Sequence, residues 1–358
     1  MKYVYLICLF VSMPVFGQKI IPFIDFNEFF RTFENGAFRQ IEFQRIENFK
    51  AGDGAIGYYD NRGNLIIYDG KEKKQVANIN AEYTVSDHLI TWRIGETLNL
   101  WDNGKLQTLT YRSENVATMD SLVVYQDNRY NTLNAYWNDQ IYPITQMSGT
   151  LLWPANIGEN VFAYRDNGDF YRVFWNGEIY DIDVWVGSID FSCGTDIISF
   201  NDPTMRTFAV FDKGELVDVE PQFVNSHKAG RGFVVYEDRN GNLIKYQDGV
   251  KTTLSNFGAS FWEVKDDIVI WFENNFLYSQ VGDKKIQVCN FKPEDYKLKN
   301  DVLVYRNIMK GVDAVVDGKV VNLTNQMDAT YEIYGSSVIV GLFNNSYKVY
   351  WKGREYTP

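Results

Sequence analysis

Along most of the chain, short runs of apolar, β-branched and aromatic residues alternate with polar turns, at the spacing of β-hairpins rather than helices. The clearest copy is Phe233 to Gly249, FVVYEDRNGNLIKYQDG. Phe233 to Tyr236 predicts one strand, Asp238 to Asn242 a turn built on Asn240-Gly241, and Leu243 to Tyr246 the returning strand. Asp248-Gly249 predicts a second tight turn.

That second turn recurs at Asn35-Gly36, Asp69-Gly70, Asn103-Gly104, Asn138-Asp139, Asn176-Gly177, Lys213-Gly214, Gly282, Asp317-Gly318 and Lys352-Gly353, spaced 33 to 38 residues apart. A period this regular is an internal repeat. The strand before each hairpin repeats too, ending in Tyr58, Trp92, Tyr125, Tyr164, Phe200, Tyr236, Trp271 and Tyr305, with Gly341 breaking the column in the last copy. Five residues upstream of each lies a turn position held by Asp53, Asp87, Asp120, Glu159, Thr195, Arg231, Asp266, Asn300 and Ser336. Each unit therefore has room for four short strands, which we letter a to d from the inner to the outer.

Four antiparallel strands repeated at this spacing resemble a β-propeller blade, and a third strand closing on an aromatic plus Asp or Gly resembles the end of a WD-type repeat. The resemblance runs from Phe23 to Pro358 and is generic, because no Gly-His pair opens the units and no Ser-x-Asp-x-Gly-x-Thr-Trp box is present. Tyr59 to Gly63 and Tyr236 to Gly241 also resemble the tyrosine-aspartate repeats of β-shell toxins, in two units only. The propeller resemblance implies an all-β fold, a single closed ring of 8 to 10 short four-stranded blades. The first unit is incomplete, and the unit Ala329 to Tyr356 closes the ring against Phe23 to Glu42. Two smaller propellers or an open β-solenoid are the alternatives, the former disfavoured by the lack of a linker.

Residues 1–17 read as a signal peptide, with Lys2 as the positive start, Tyr3 to Phe16 as the apolar run and cleavage after Gly17. The run is shorter than the roughly 20 residues that span a bilayer, which opposes a retained anchor. Export follows, with the periplasm as the expected address and secretion or outer-membrane association as alternatives. Residues 18–358 form the repeat domain. Gln18 at the new terminus and the high aromatic content look like exported chains of Bacteroidota-type bacteria, where such propellers belong to outer-membrane or secretion assemblies. The net charge of -11 opposes binding to nucleic acid, whose phosphates need a basic patch.

The repeat register also judges candidate chemistry. His227 falls in the column Phe49, Tyr83, Val116, Phe191, Trp262 and Tyr296, which packs neighbouring blades, so it reads as a buried, hydrogen-bonded histidine. His88 reads as a solvated turn residue. Cys193 falls in a second apolar column and Cys289 on a distant outer strand, too far apart for a disulfide. The regular acids Asp60, Asp127, Asp166, Asp202, Asp238 and Glu273 start the b–c turns. They read as backbone caps, with an acidic rim on that face as the functional alternative. The turn Asp166 to Asp169 is oxygen-rich but lacks the ligand pattern of a calcium loop.

The units depart most from the template at Gln146 to Gly158, Asp181 to Ile189 and Glu220 to Gly232. Loops of this kind gather on one face of a repeat ring, and that face binds. Trp153, Trp185, Phe223 and His227 are the candidate partner-binding residues they supply. No catalytic constellation, metal cluster or cofactor motif stands out, and with two histidines the chain is short of acid–base groups. Glu263 with Asp190 is the best carboxylate pair for a glycosidase. The expected role is that of an exported, non-catalytic protein-interaction scaffold or cell-envelope accessory without cofactor. A carbohydrate-binding or glycan-processing propeller is the alternative.

Overall fold

The computed structural model describes residues 19–78, 81–147, 153–185, 187–256 and 258–358. Cleavage after Gly17 therefore lies outside the described residues. The strands form ten antiparallel sheets, eight of four strands and two of three, in strict sequence order. We number the sheets as blades 1 to 10. Blade 7 holds the hairpin that opened the sequence reading, with strands Ser226–Ala229, Val234–Glu237, Leu243–Gln247 and Val250–Ser255.

Turn chemistry sets the register of each blade. In the c–d turns both central residues take positive φ, as at Asn103-Gly104, Asn176-Gly177 and Asp248-Gly249. That geometry matches strand twist and explains the Asn, Asp and Gly residues of the repeat. The Asn240-Gly241 pair is different from what its sequence predicts. Only Gly241 has positive φ, and Asp238 N–H bonds Asn242 carbonyl at 3.0 Å, so the b–c connection is a longer loop capped by the Asp238 side chain.

Strands alternate, and each blade packs its faces against both neighbours. The b-strand aromatics fill these interfaces: Tyr58, Tyr125, Tyr236, Trp271 and Tyr305 are fully buried. Two of the hydroxyls reach back across the interface, Tyr58 to Glu42 and Tyr236 to Glu220, each at 2.6 Å. Val264, Val269 and Trp271 of blade 8 share one cluster with Phe233, Val235 and Leu254 of blade 7. Where Gly341 breaks the aromatic column, Tyr347 pairs opposite it and meets Phe23 of blade 1 at 4.9 Å.

Two blades are short. Blade 5 has Val161–Arg165, Tyr171–Trp175 and Glu178–Val184, with a single Ile157–Phe162 bridge where its inner strand would run. Blade 1 has Ile20–Ile24, Phe30–Glu34 and Ala37–Glu42, which take the b, c and d places. The ring closes by packing: Ile21, Phe23 and Phe33 of blade 1 share a cluster with Ile339 and Val349 of blade 10.

Candidate functional site

The antiparallel order sorts all turns onto two faces. One carries the a–b and c–d turns, the other the b–c turns and the d–a connections.

On the first face the a–b turns converge at the channel mouth and are laced together from blade to blade. Glu159 N–H bonds Gly194 carbonyl at 3.0 Å, Thr195 N–H bonds Gly230 carbonyl at 3.1 Å and Arg231 N–H bonds Asp266 carbonyl at 2.7 Å. Glycine makes this possible: a Cβ on Gly158 or Gly194 would lie about 2 Å from the next turn's carbonyl oxygen (2.1 and 2.0 Å). Side chains add a second layer, with Asp120 accepting from Asp87 N–H at 3.1 Å and Glu159 accepting from Asp120 N–H at 3.0 Å. Lys299 lies 2.9 Å from Asp53 and 2.6 Å from Asp87, so blade 9 touches blades 2 and 3 across the mouth.

Two adjoining cavities of about 330 and 410 Å³ open here and share Lys19, Asp53, Arg231 and Asn300. The charges are unevenly compensated. Burial, then the Asp53 and Asp120 carboxylates, push Asp87 up to about 6 against the pull of Lys299. Burial and Glu159 raise Asp120 as well. Asp53 is also pushed up by burial, but Lys299 and the Gly335 N–H outweigh this and hold it below its ordinary value.

The opposite face differs in kind. Its b–c turns are capped internally: Asp60, Asp166 and Asp238 each accept two backbone N–H bonds within their own turn, and Asp127 accepts one. Asp25 and Asn307 do the same in blades 1 and 9, which the column of six had missed. These side chains serve the turns. The acids that gather do so at the other end, on the a–b turns.

This face instead presents large apolar side chains. Tyr111, Tyr130, Phe170, Trp185, Met205 and Phe223 follow one another over blades 4 to 7, and Ile308, Met309, Met327, Phe343, Phe26 and Phe43 over blades 9, 10 and 1. Ile308 is 76% exposed, Phe343 72% and Trp185 51%. Polar turns separate the two arcs, Arg62-Gly63 and Gly95-Glu96 on one side, Arg239-Asn240 and Asn274-Asn275 on the other. Among the described residues, no exposed large apolar side chain lies on an a–b or c–d turn.

The four candidate residues from the sequence fare differently. Trp185 is exposed and meets Phe170 edge-on at 6.2 Å. Phe223 is at the margin of exposure, 36%, with Arg239 donating to its carbonyl. Trp153 is partly buried against the core shared by blades 4 and 5, although residues 148–152 of its loop lie outside the described residues. His227 packs 5.4 Å from Phe208 and pairs with Ser199 Oγ at 2.9 Å, and burial lowers its pKa. It belongs to the blade interface. Glu263 is engaged by the Tyr296 hydroxyl, while Asp190 lies near His227 two blades away. Cys193 and Cys289 are free thiols. Among the described residues no group of three His, Cys, Asp or Glu is placed to hold a metal ion.

A family model described as a 10-bladed beta propeller domain matches residues 15–356. No curated protein matches the chain. Solved structures with a similar course include the CRINKLY WD40 ectodomain of the receptor kinase ACR4 from Arabidopsis thaliana, at 8% identity over 68% of this chain and 97% of that one, with a TM-score of 0.36. Prp20p from Saccharomyces cerevisiae is 10% identical over 62% of this chain and 81% of its own, TM-score 0.32. PorZ, a surface component of the type-IX secretion system of Porphyromonas gingivalis, is 9% identical over 92% of this chain and 56% of its own, TM-score 0.30. Scores this low carry no argument about function.

Proposed function

This chain belongs to the 10-bladed beta propeller domain family, and we propose that it uses that fold as a protein-interaction scaffold, with its partner on the face of the b–c turns and d–a loops. One observation carries the reading. Turn tips are where polar residues are expected, yet on this face Phe26, Tyr130, Phe343, Ile308 and Met309 occupy them and stand in solvent, while among the described residues the exposed apolar side chains nearest the other face, such as Leu106, Ile141, Leu216 and Val250, lie in d strands and not at turn tips. Exposed aromatic and Met side chains gathered on one surface mark interaction sites, and rigid rings on fixed hairpins lose little conformational entropy when a partner covers them. The polar turns between the arcs then supply rim hydrogen bonds.

The propeller acts by binding and not by catalysis. Its central acids are spent on turn-to-turn bonds, and the carboxylate pair Glu263 and Asp190 is split between blades. Its place is the cell envelope: the Lys2 start and the apolar run to Phe16 support export, and the aromatic-rich composition supports an outer-membrane or secretion assembly. The partner is accordingly an envelope protein.

The experiment is co-purification from envelope fractions of the source cells. Replacing Trp185 and Phe170 by Ser removes a two-ring anchor, and the account expects at least a tenfold loss of the co-purified partner, the scale of a binding hot spot. Unchanged recovery, or binding to immobilised glycans that survives both substitutions, would overturn it.

A further inference from the structure

The seam between blades 10 and 1 is built unlike the other junctions. Blade 10 supplies all four strands of its own sheet, Thr330–Tyr334, Ser337–Gly341, Tyr347–Trp351 and Arg354–Tyr356, so no strand is exchanged across the closure. Ile20–Ile24 has no strand on its channel side among the described residues. Pro22 stands at its centre, pairing with Thr32 of the c strand. In blades with an inner strand the residue at this place pairs with it, as Gly57 does with Lys50 in blade 2, and proline has no N–H to offer, as suits a free edge. A groove of about 200 Å³ remains there, lined by Phe23, Phe49, Tyr331, Tyr334 and Tyr347.

At the mouth, blade 1 contributes no a–b turn among the described residues, and Asp53 of blade 2 spans the gap. Its Oδ1 accepts the Gly335 N–H of blade 10 at 2.8 Å and lies 2.9 Å from Lys299 Nζ of blade 9. Its Oδ2 accepts from Asn300 Nδ2 at 3.3 Å, and its backbone carbonyl accepts the Ile20 N–H of blade 1 at 3.4 Å. One carboxylate thus gathers blades 9 and 10 onto blade 2, while the backbone of the same residue holds blade 1. Elsewhere around the mouth backbone bonds join successive turns at Gly54–Asp87, Ser121–Glu159, Glu159–Gly194, Thr195–Gly230, Arg231–Asp266 and Asp267–Asn300, and the Asp120 carboxylate accepting from Asp87 N–H joins blades 3 and 4.

We propose that Asp53 is the clasp of the ring, and that the seam between blades 10 and 1 is the gate at which the channel opens. Beyond the apolar packing of blades 10 and 1 and the Lys19–Ser336 hydrogen bond at 3.4 Å, the seam is tied at the mouth through the Asp53 carboxylate, and losing it frees blades 9 and 10 from blade 2 at once. The apolar groove beside Pro22 is the surface such opening uncovers.

Hydrogen–deuterium exchange of the full chain tests this. Asp53→Ala is expected to speed amide exchange at least tenfold in Ile20–Ile24 and Thr330–Tyr334 while Ile197–Asp202 and Val234–Glu237 keep their rates. Uniform acceleration around the ring, or none at the seam, would overturn it. Should Asp53→Ala not fold, Lys299→Gln keeps the Gly335 and Asn300 bonds and is expected to give a smaller rise in the same two strands. A rise spread over all blades, or no rise, contradicts the clasp.

Discussion

Lys299 of blade 9 sits 2.9 Å from Asp53 of blade 2, 246 residues earlier in the chain, and the same ammonium reaches Asp87 of blade 3. All three groups are largely withdrawn from water. Removing the cation leaves two buried carboxylates facing each other. Lys299→Met is expected to cost roughly 3 kcal/mol, the scale for breaking one side of a buried pair, read as a lowered urea midpoint with an unchanged slope.

Asp87 makes the mouth sensitive to pH. Its value of about 6 lies above the 3.8 of an unburied aspartate, because burial, Asp53 and Asp120 all oppose its charge. A raised carboxyl favours the folded state when protonated, so this contribution is complete below about pH 4 and is lost as pH rises through 6. His227 has the opposite sign: burial lowers its pKa, so its contribution is present above its ordinary value and fades as pH falls. The comparison with Asp87→Asn separates them. Wild type is expected to gain about 1.4 kcal/mol relative to Asp87→Asn between pH 8 and pH 5, measured by urea denaturation at both values.

Gly194 packs where no side chain fits. Its missing Cβ would meet Gly230 carbonyl oxygen at 2.0 Å, and both partners are backbone. Gly194→Ala is expected to cost roughly 2 to 3 kcal/mol by forcing adjacent turns apart, with the loss seen in thermal unfolding and the Thr195–Arg231 bridge exchanging first.

Asp238 tests whether the b–c acids serve folding or binding. It accepts the N–H groups of Asn240 and Asn242 at 2.8 Å each. Its pKa is lowered, because the bonds from Asn242 and Asn240 outweigh the upward push of burial. Asp238→Ala is expected to destabilise by about 1 to 2 kcal/mol and to leave partner recovery unchanged.

Much of the blade was legible in the sequence. Turn pairs such as Asp248-Gly249 demand positive φ, so their spacing counted the blades, and the columns placed His227 and Cys193 in the interfaces where they lie. A column, however, gives a position within a blade and says nothing of what the ring brings together. Asp53, Asp87, Asp120 and Glu159 stood in line as turn markers, and their meeting at the mouth, through Lys299 and the turn N–H groups, is a contact between blades that one blade's column does not contain. The apolar face was missed for another reason. Long loops such as those around Trp153 and Phe223 stand out by length, while the stronger signal is apolar residues inside short polar turns: Phe26 between Asp25 and Asn27, Ile308-Met309 after Asn307, and Phe343 before Asn344.

The face preference is the central claim, and site-specific photocross-linking in the source cells tests it most directly. A benzophenone side chain placed at Trp185 or Phe343 is predicted to give one discrete adduct with an envelope protein, while the same group at Asn138 or Asp317, on the c–d turns, gives none. Adducts arising from Asn138 or Asp317, with none from Trp185 and Phe343, would contradict the account.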